Sequence, residues 1–254
     1  MKFTMKLHSL FILTKAGACL YSRNITEHFK NIEPNLITPF FSAIFSFSES
    51  VISKETPEAI EMGGFRIVFK VAGEHIYAIL ADTSANILYI KSRLASIVQV
   101  FKEFLEDNVV EDYEEIHNSE FDANIVSIIK GDDELSSSQP LYKKIIDLLK
   151  KLTLENEILG AGLFTINGKI IFTSLPQDIL LSSLKELEIR HIANTEYSLT
   201  FYSLENNQKV FSRIIDIPWK LDPLLIVVLY ESSVPLGMCE VNLEKITKTI
   251  QNII

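Results

Sequence analysis

Two hydrophobic rhythms alternate along the chain, one with a period of two and one with a period near 3.6. From Leu7 the run LHSLFILT leads through Lys15-Ala16-Gly17 into a second apolar run ending at Arg23. Gly17 supplies the positive φ of a tight turn, so the pattern predicts an antiparallel hairpin with strands over about 6–14 and 18–23. Leu36, Ile37, Phe40, Phe41, Ile44, Phe45, Val51 and Ile52 then recur at three- and four-residue spacing, which predicts a helix with Pro39 in its first turn, where a missing N–H is harmless. Strands are expected over 59–62, 65–71 and 75–82, the last two joined at Ala72-Gly73-Glu74. Ile87, Ile90, Leu94, Ile97, Val98, Phe101, Phe104 and Leu105 share one stripe of an amphipathic helix, and a weaker helix spans Phe121 to Ile129. The order is β-β-α-β-β-β-α-α.

The remainder repeats the theme with its helix moved to the front. Pro140 suits a first helical position, and Leu141, Ile145, Leu148, Leu149 and Leu152 fall on one face. Strands Ala161–Ile166 and Lys169–Thr173 flank Asn167-Gly168, a pair expected to form a type I′ turn. A helix restarts at Pro176 through Ile179, Leu180, Leu184 and Leu187. Three strands follow, at 197–204, 209–217 and 224–230, the last an unbroken LLIVVLY that reads as a central strand buried on both faces. A helix carrying Leu243, Ile246 and Ile250 ends the chain, with Asn242 as its expected cap. This gives α-β-β-α-β-β-β-α, so the fold class is α+β: two domains, each a five-stranded antiparallel sheet with packed helices.

Charge locates the boundary between them. The chain has 254 residues and a formal net charge of -9, yet residues 103–139 alone hold twelve acids against one lysine. The flanking blocks are close to neutral. The expected division is a domain over 1–130, an acidic, serine-containing linker over 131–139 (GDDELSSS at its heart), and a second domain over 140–254. An acidic chain does not suit general binding to nucleic acid or anionic membrane, which draws on clustered Lys and Arg. Lys2 and Lys6 before the first apolar run, and Ala16-Gly17-Ala18-Cys19 after it, faintly suggest a lipoprotein signal. His8, Ser9 and Lys15 interrupt that pattern, so strand and turn are the reading, and the expected location is cytoplasmic or peripheral on membranes.

Searching for catalytic chemistry returns little. G-x-S-x-G, G-x-x-x-x-G-K-[ST] and G-x-G-x-x-G are all absent from the sequence. Gly63-Gly64 and Gly160-Ala161-Gly162 precede strands rather than helices, which predicts close-packed strand starts instead of phosphate loops. The histidines His8, His28, His75, His117 and His191 are scattered, and Cys19 and Cys239 have no ligand partner nearby, so buried small hydrophobes are expected for the cysteines and no metal site for the set. Glu103, Glu106, Asp107, Glu111, Asp112, Glu114, Glu115, Glu120 and Asp122 form the largest charge feature. They lack the spacing and turn glycine of a calcium loop and read as a solvated face or a strip for a basic partner. Trp219 sits in a strand connection as a contact anchor or a packed loop residue. No catalytic, cofactor-binding or metal-binding residue is assigned.

From His8 to Leu105 the sequence resembles a longin domain, through LFILTKAGACLYSR, GGFRIVFKVAGEHIYAILAD and the long helix after them. In detail it looks like the first longin domain of Mon-type and Fuzzy-type vesicle-trafficking proteins, whose opening hairpin also tends to end in Tyr-Ser-Arg, here Tyr21-Ser22-Arg23. From Pro140 to Ile254 it resembles the Roadblock family, through GLFTINGKIIFTS, LLIVVLY and VPLGMCEVNLEKITKTI. The resemblance implies a non-catalytic adaptor that binds Ras-like small GTPases and pairs, as homodimer or heterodimer, with longin or Roadblock subunits in trafficking or polarity. It implies no cofactor. The rival readings are a subunit of an exchange or GTPase-activating factor and a small-ligand sensor. For an activating role Arg23, Arg66, Arg93, Arg190 and Arg213 are the available guanidiniums, and the sequence selects none of them.

Overall fold

The computed structural model describes residues 6–29, 33–52, 56–108, 114–131, 139–193, 199–217 and 223–253. The chain forms two compact units, Met1–Asp133 and Glu134–Ile254. The 132–138 part of the acidic linker, Glu111, Asp112 and Trp219 lie outside the described residues.

In the first unit, strands β1 (Leu7–Thr14) and β2 (Cys19–Asn24) form the opening hairpin, and helix α1 (Pro34–Phe47) follows, running on through a π-helical turn over Ser48–Ile52. Pro34, not Pro39, takes the permissive first position. Pro39 falls inside the helix, contrary to expectation, and removes an N–H from its ladder. Strands β3 (Ala59–Met62), β4 (Phe65–Ala72) and β5 (His75–Asp82) complete a sheet of order β2-β1-β5-β4-β3, antiparallel throughout. Helix α2 (Ile87–Asp107) starts where the Asn86 side chain accepts from the Leu88 N–H, and α3 (Ser119–Lys130) where Asn118 accepts from Glu120 and Phe121. The sheet separates two apolar layers. Leu10, Ile12, Val68, Tyr77 and Ile79 meet α2 and α3, while Phe11, Leu13, Ile67, Phe69 and Ile76 meet Phe41 and Phe45 of α1.

The second unit opens with α4 (Gln139–Leu154), then β6 (Gly160–Thr165), β7 (Ile170–Thr173), α5 (Gln177–Ile192), β8 (Thr200–Ser203), β9 (Lys209–Ile215), β10 (Leu224–Tyr230) and α6 (Leu236–Ile253). Its strand order, β7-β6-β10-β9-β8, matches the first sheet strand for strand. All seven residues of the central strand β10 are buried. α4 packs with α6 as α3 packs with α2, so the same architecture is built with one helix moved from the end to the beginning. Asn242 is not a cap, since α6 starts six residues earlier. Its Oδ1 instead accepts from the buried Tyr230 hydroxyl at 3.0 Å.

The two opening hairpins share one turn. The Gly17 N–H donates to Thr14 O at 2.9 Å and Thr14 N–H to Ala18 O at 2.9 Å, while Gly168 donates to Thr165 O and Thr165 to Lys169 O, each also at 2.9 Å. In both, the threonine Oγ1 accepts from the residue after the glycine at 3.1 Å. Gly17 and Gly168 have φ of 93° and 78°, whereas Asn167 has no positive φ. The turn at Asn167-Gly168 is therefore not type I′; a three-residue loop closes on one left-handed glycine. The sheet register then slips in both hairpins, leaving Leu20 and Ile171 as the extra residues, each six positions after its threonine.

Candidate functional site

Each sheet has two edges, and they are finished differently. The β2 and β7 edges carry the bulges at Leu20 and Ile171. A bulge interrupts the row of outward N–H and C=O groups and makes an edge a poor template for another strand. The opposite edges, β3 and β8, pair with β4 and β9 without any shift. Among the described residues, no strand lies beyond either of them.

Large apolar side chains are left in solvent in both units. In the first unit the exposed large hydrophobics among the described residues are Leu36, Phe40, Phe47, Val51 and Met62, all on α1, its π-helical extension or β3. Leu36 is 73% exposed and Phe47 56%. α1 spans PNLITPFFSAIFSF without a single charge. In the second unit Ile189 (56%) and Ile192 (71%) stand on the last turns of α5, and Phe201 (50%) on β8 itself, stacked against Phe211 of the core with ring centroids 5.4 Å apart. A second exposed set, Leu236, Met238 and Val241, lies on the first turns of α6. Scattered surface leucines are ordinary; an uncharged helix with several apolar side chains in solvent and an unpaired strand that bears one are the usual marks of interaction surfaces.

Polar residues singled out in the sequence are used inside the fold. His8 is buried, with Nε2 2.8 Å from Asp82 Oδ1 and Nδ1 2.8 Å from Thr26 Oγ1. A carboxylate only accepts, so Nε2 donates to Asp82; in the neutral ring Nδ1 then accepts from the threonine hydroxyl. The ring packs on Phe29 and Phe65 and braces β1, β5 and the turn after β2. His28 joins this cluster, His75 packs edge-on to Phe101, and His117 and His191 are exposed. Among the described residues no group of three His, Cys, Asp or Glu is placed to hold a metal. Both cysteines are free, Cys239 buried and Cys19 half-buried. Burial, with the Glu115 charge adding, pushes the Cys19 thiol up to about 11, which suppresses the thiolate.

Four of the five arginines are occupied. Arg23 pairs with Asp122, which also accepts from the Tyr21 hydroxyl at 2.6 Å; Arg66 is buried, bonded to Glu61 and to Ala85 O; Arg93 is buried over the Tyr89 ring; Arg190 takes Glu186 with two nitrogens. Arg213 is exposed on β9, within electrostatic reach of Glu244. In the acidic set, Asp122 and Glu115 are engaged with Arg23 and Ser22, tying α3 and the segment before it to β2. The glycines divide. Gly160 and Gly162 are close-packed, since a Cβ on them would meet Ser174 O at 3.0 Å and Phe164 at 2.5 Å. Gly63 and Gly64 are not: they turn the β3–β4 hairpin at φ of 57° and 86° with open space around them.

A cavity under α5, walled by Ser183, Arg190, Thr200 and Ser212, holds about 10 Å³, room for a single water and for no larger ligand. A larger, open depression of about 600 Å³ lies between α4 and β7.

No protein-family model matches the sequence, and no curated protein matches it. Solved structures do. MglB of Myxococcus xanthus matches with 16% identity over 44% of this chain and 88% of its own, TM-score 0.35. A gliding protein MglB of Thermus thermophilus matches with 11% identity over 44% and 90%, TM-score 0.34, and a Roadblock/LC7 domain of Streptomyces avermitilis with 14% over 40% and 88%, TM-score 0.33. Each is similar to a portion of the chain about the length of one unit. No helix among the described residues is long and apolar enough to cross a membrane.

Proposed function

We propose that the chain is a non-catalytic regulatory adaptor, a longin-like domain over 1–130 joined by the linker 131–139 to a Roadblock-like domain over 140–254. It binds a Ras-like small GTPase and pairs with longin or Roadblock subunits in trafficking or polarity. The observation that carries this reading is, in each unit, a regular unpaired edge strand that bears an exposed apolar side chain, Met62 on β3 and Phe201 on β8. A partner strand on β3 or β8 satisfies the outward backbone groups, and exposed apolar residues supply the hydrophobic part of an interface of about 1,200–2,000 Å². The sequence resemblance supports the class of partner. An effect on a GTPase arises through the populations of its switch loops, which such surfaces bias by contact and without bond chemistry.

The test is a pull-down with the purified full chain in excess GDP and in a non-hydrolysable GTP analogue, with captured chains identified by mass spectrometry. A Ras-like GTPase recovered by the native chain and lost with Ile192→Asp or Phe201→Asp supports the reading. Preference for one nucleotide separates effector from exchange-type binding. Recovery of only longin or Roadblock chains, under either nucleotide, removes the GTPase and leaves the scaffold.

A further inference from the structure

In the first unit, residues 114–118 lie against the bulged edge on their way into α3. The Ile116 N–H donates to the carbonyl of Leu20, the bulge residue of β2, at 2.7 Å; Glu115 accepts from Ser22 Oγ at 3.1 Å; and the Ile116 side chain is buried. The bulge thus offers one outward carbonyl as a docking point, and it is read by an extended segment bearing acids and one branched apolar residue.

The second unit repeats that frame. β7 holds the place of β2, Ile171 holds the place of Leu20 six residues beyond the turn threonine, and α4 stands on α6 as α3 stands on α2. By that correspondence the place of residues 114–118 falls, among the described residues, at the open depression of about 600 Å³ whose lining includes Tyr142, Lys143, Ile146, Asp147, Lys150 and Ile171. Its floor is apolar and its rim is basic. α4 carries Lys143, Lys144, Lys150 and Lys151 against the single acid Asp147, and Lys150 leans over the Phe172 ring at 5.9 Å.

We infer that this depression docks an extended acidic segment of a partner protein, in the manner of residues 114–118 on β2. A branched apolar side chain sits between Ile146 and Ile171, one backbone N–H meets the Ile171 carbonyl, and flanking carboxylates face Lys143 and Lys150. The surface is separate from the β3 and β8 edges, so its occupancy does not depend on the GTPase reading.

The probe is a decapeptide with the sequence of residues 109–118, VVEDYEEIHN, titrated into the isotopically labelled full chain and followed by amide shifts. The expected result is saturable shifts centred on α4 and β7, weakened about tenfold between low and high salt as screening predicts. Lys143→Glu with Lys150→Glu abolishes them, and Asp147→Lys, which adds a cation without removing a packed side chain, tightens binding. The same peptide with its acids replaced by lysine leaves the spectrum unchanged. Shifts centred elsewhere, equal binding of the lysine peptide, or indifference to Asp147→Lys overturns the inference. So does a chain that binds the peptide only after Asp132, Asp133 and Glu134 are neutralised, because the groove is then the property of the chain's own linker.

Discussion

Gly17 and Gly168 sit at the left-handed corner of matching turns, with φ of 93° and 78°. A side chain there meets its own backbone, at a cost of about 1–2 kcal/mol for most residues and less for asparagine. Asn207 occupies the same corner of the β8–β9 hairpin at φ of 61°, its N–H bonded to Leu204 O at 2.9 Å. Gly168→Ala is therefore expected to lower stability by about 1–2 kcal/mol in urea unfolding, and Gly168→Asn by visibly less. Equal effects would show that something other than φ governs the turn. Cys19 gives a second residue-level expectation. With its thiol pushed up to about 11, it reacts with iodoacetamide at pH 8 roughly two-hundredfold more slowly than an unperturbed cysteine, whose pKa is about 8.5. Burial also raises Tyr21, Tyr77 and Tyr230. Groups that hold their protons longer when folded make stability fall as pH rises past their unfolded values. Unfolding monitored from pH 8 to 11 is expected to show that decline beginning near pH 9 and steepening above 10. A flat profile would mean that these groups exchange with solvent.

Most elements were legible because their apolar periods are clean. α2 follows its stripe from Ile87, and β10 is as buried as an unbroken LLIVVLY implies. What the pattern did not reveal lies where backbone geometry, not side-chain polarity, decides. Pro39 reads as part of the first turn, yet Pro34 five residues earlier takes the first position, because Pro34 and Asn35 precede the apolar stripe that opens at Leu36. Asn167-Gly168 reads as type I′, but Thr165 holds the loop one residue wider through its hydroxyl. The shared spacing of Thr14-x-x-Gly17-x-x-Leu20 and Thr165-x-x-Gly168-x-x-Ile171 is visible in the sequence once the bulges give it meaning. That difference between edges makes an element-level expectation. Phe201→Lys on the regular β8 edge reduces self-association or partner capture, measured by sedimentation, while thermal unfolding of the isolated chain stays within about 0.5 kcal/mol, as for other exposed sites. A large loss of stability would instead mark Phe201, through its stack on Phe211, as part of the core.

At the scale of the whole molecule, each unit has buried apolar clusters of its own. One runs from Leu7 to Ile129, a second from Phe11 to Leu80, and the third from Tyr142 to Ile250. Each unit exceeds 100 residues, a size at which a single core sustains a fold by itself. The composition of the joint works in the same direction: residues 131–139, GDDELSSSQ, hold three acids and one apolar residue. Denaturant unfolding is accordingly expected to separate into two transitions. The fluorescence of Trp219, the only tryptophan, reports on the second unit, and backbone circular dichroism follows both. Substitutions sort the transitions: Leu94→Ala, in the first core, shifts one midpoint by the equivalent of about 2–5 kcal/mol and leaves the Trp219 signal in place, whereas Leu243→Ala moves the Trp219 transition. If either substitution moved both transitions together, the units would be coupled as one cooperative body, and a partner binding one sheet edge would be felt at the other.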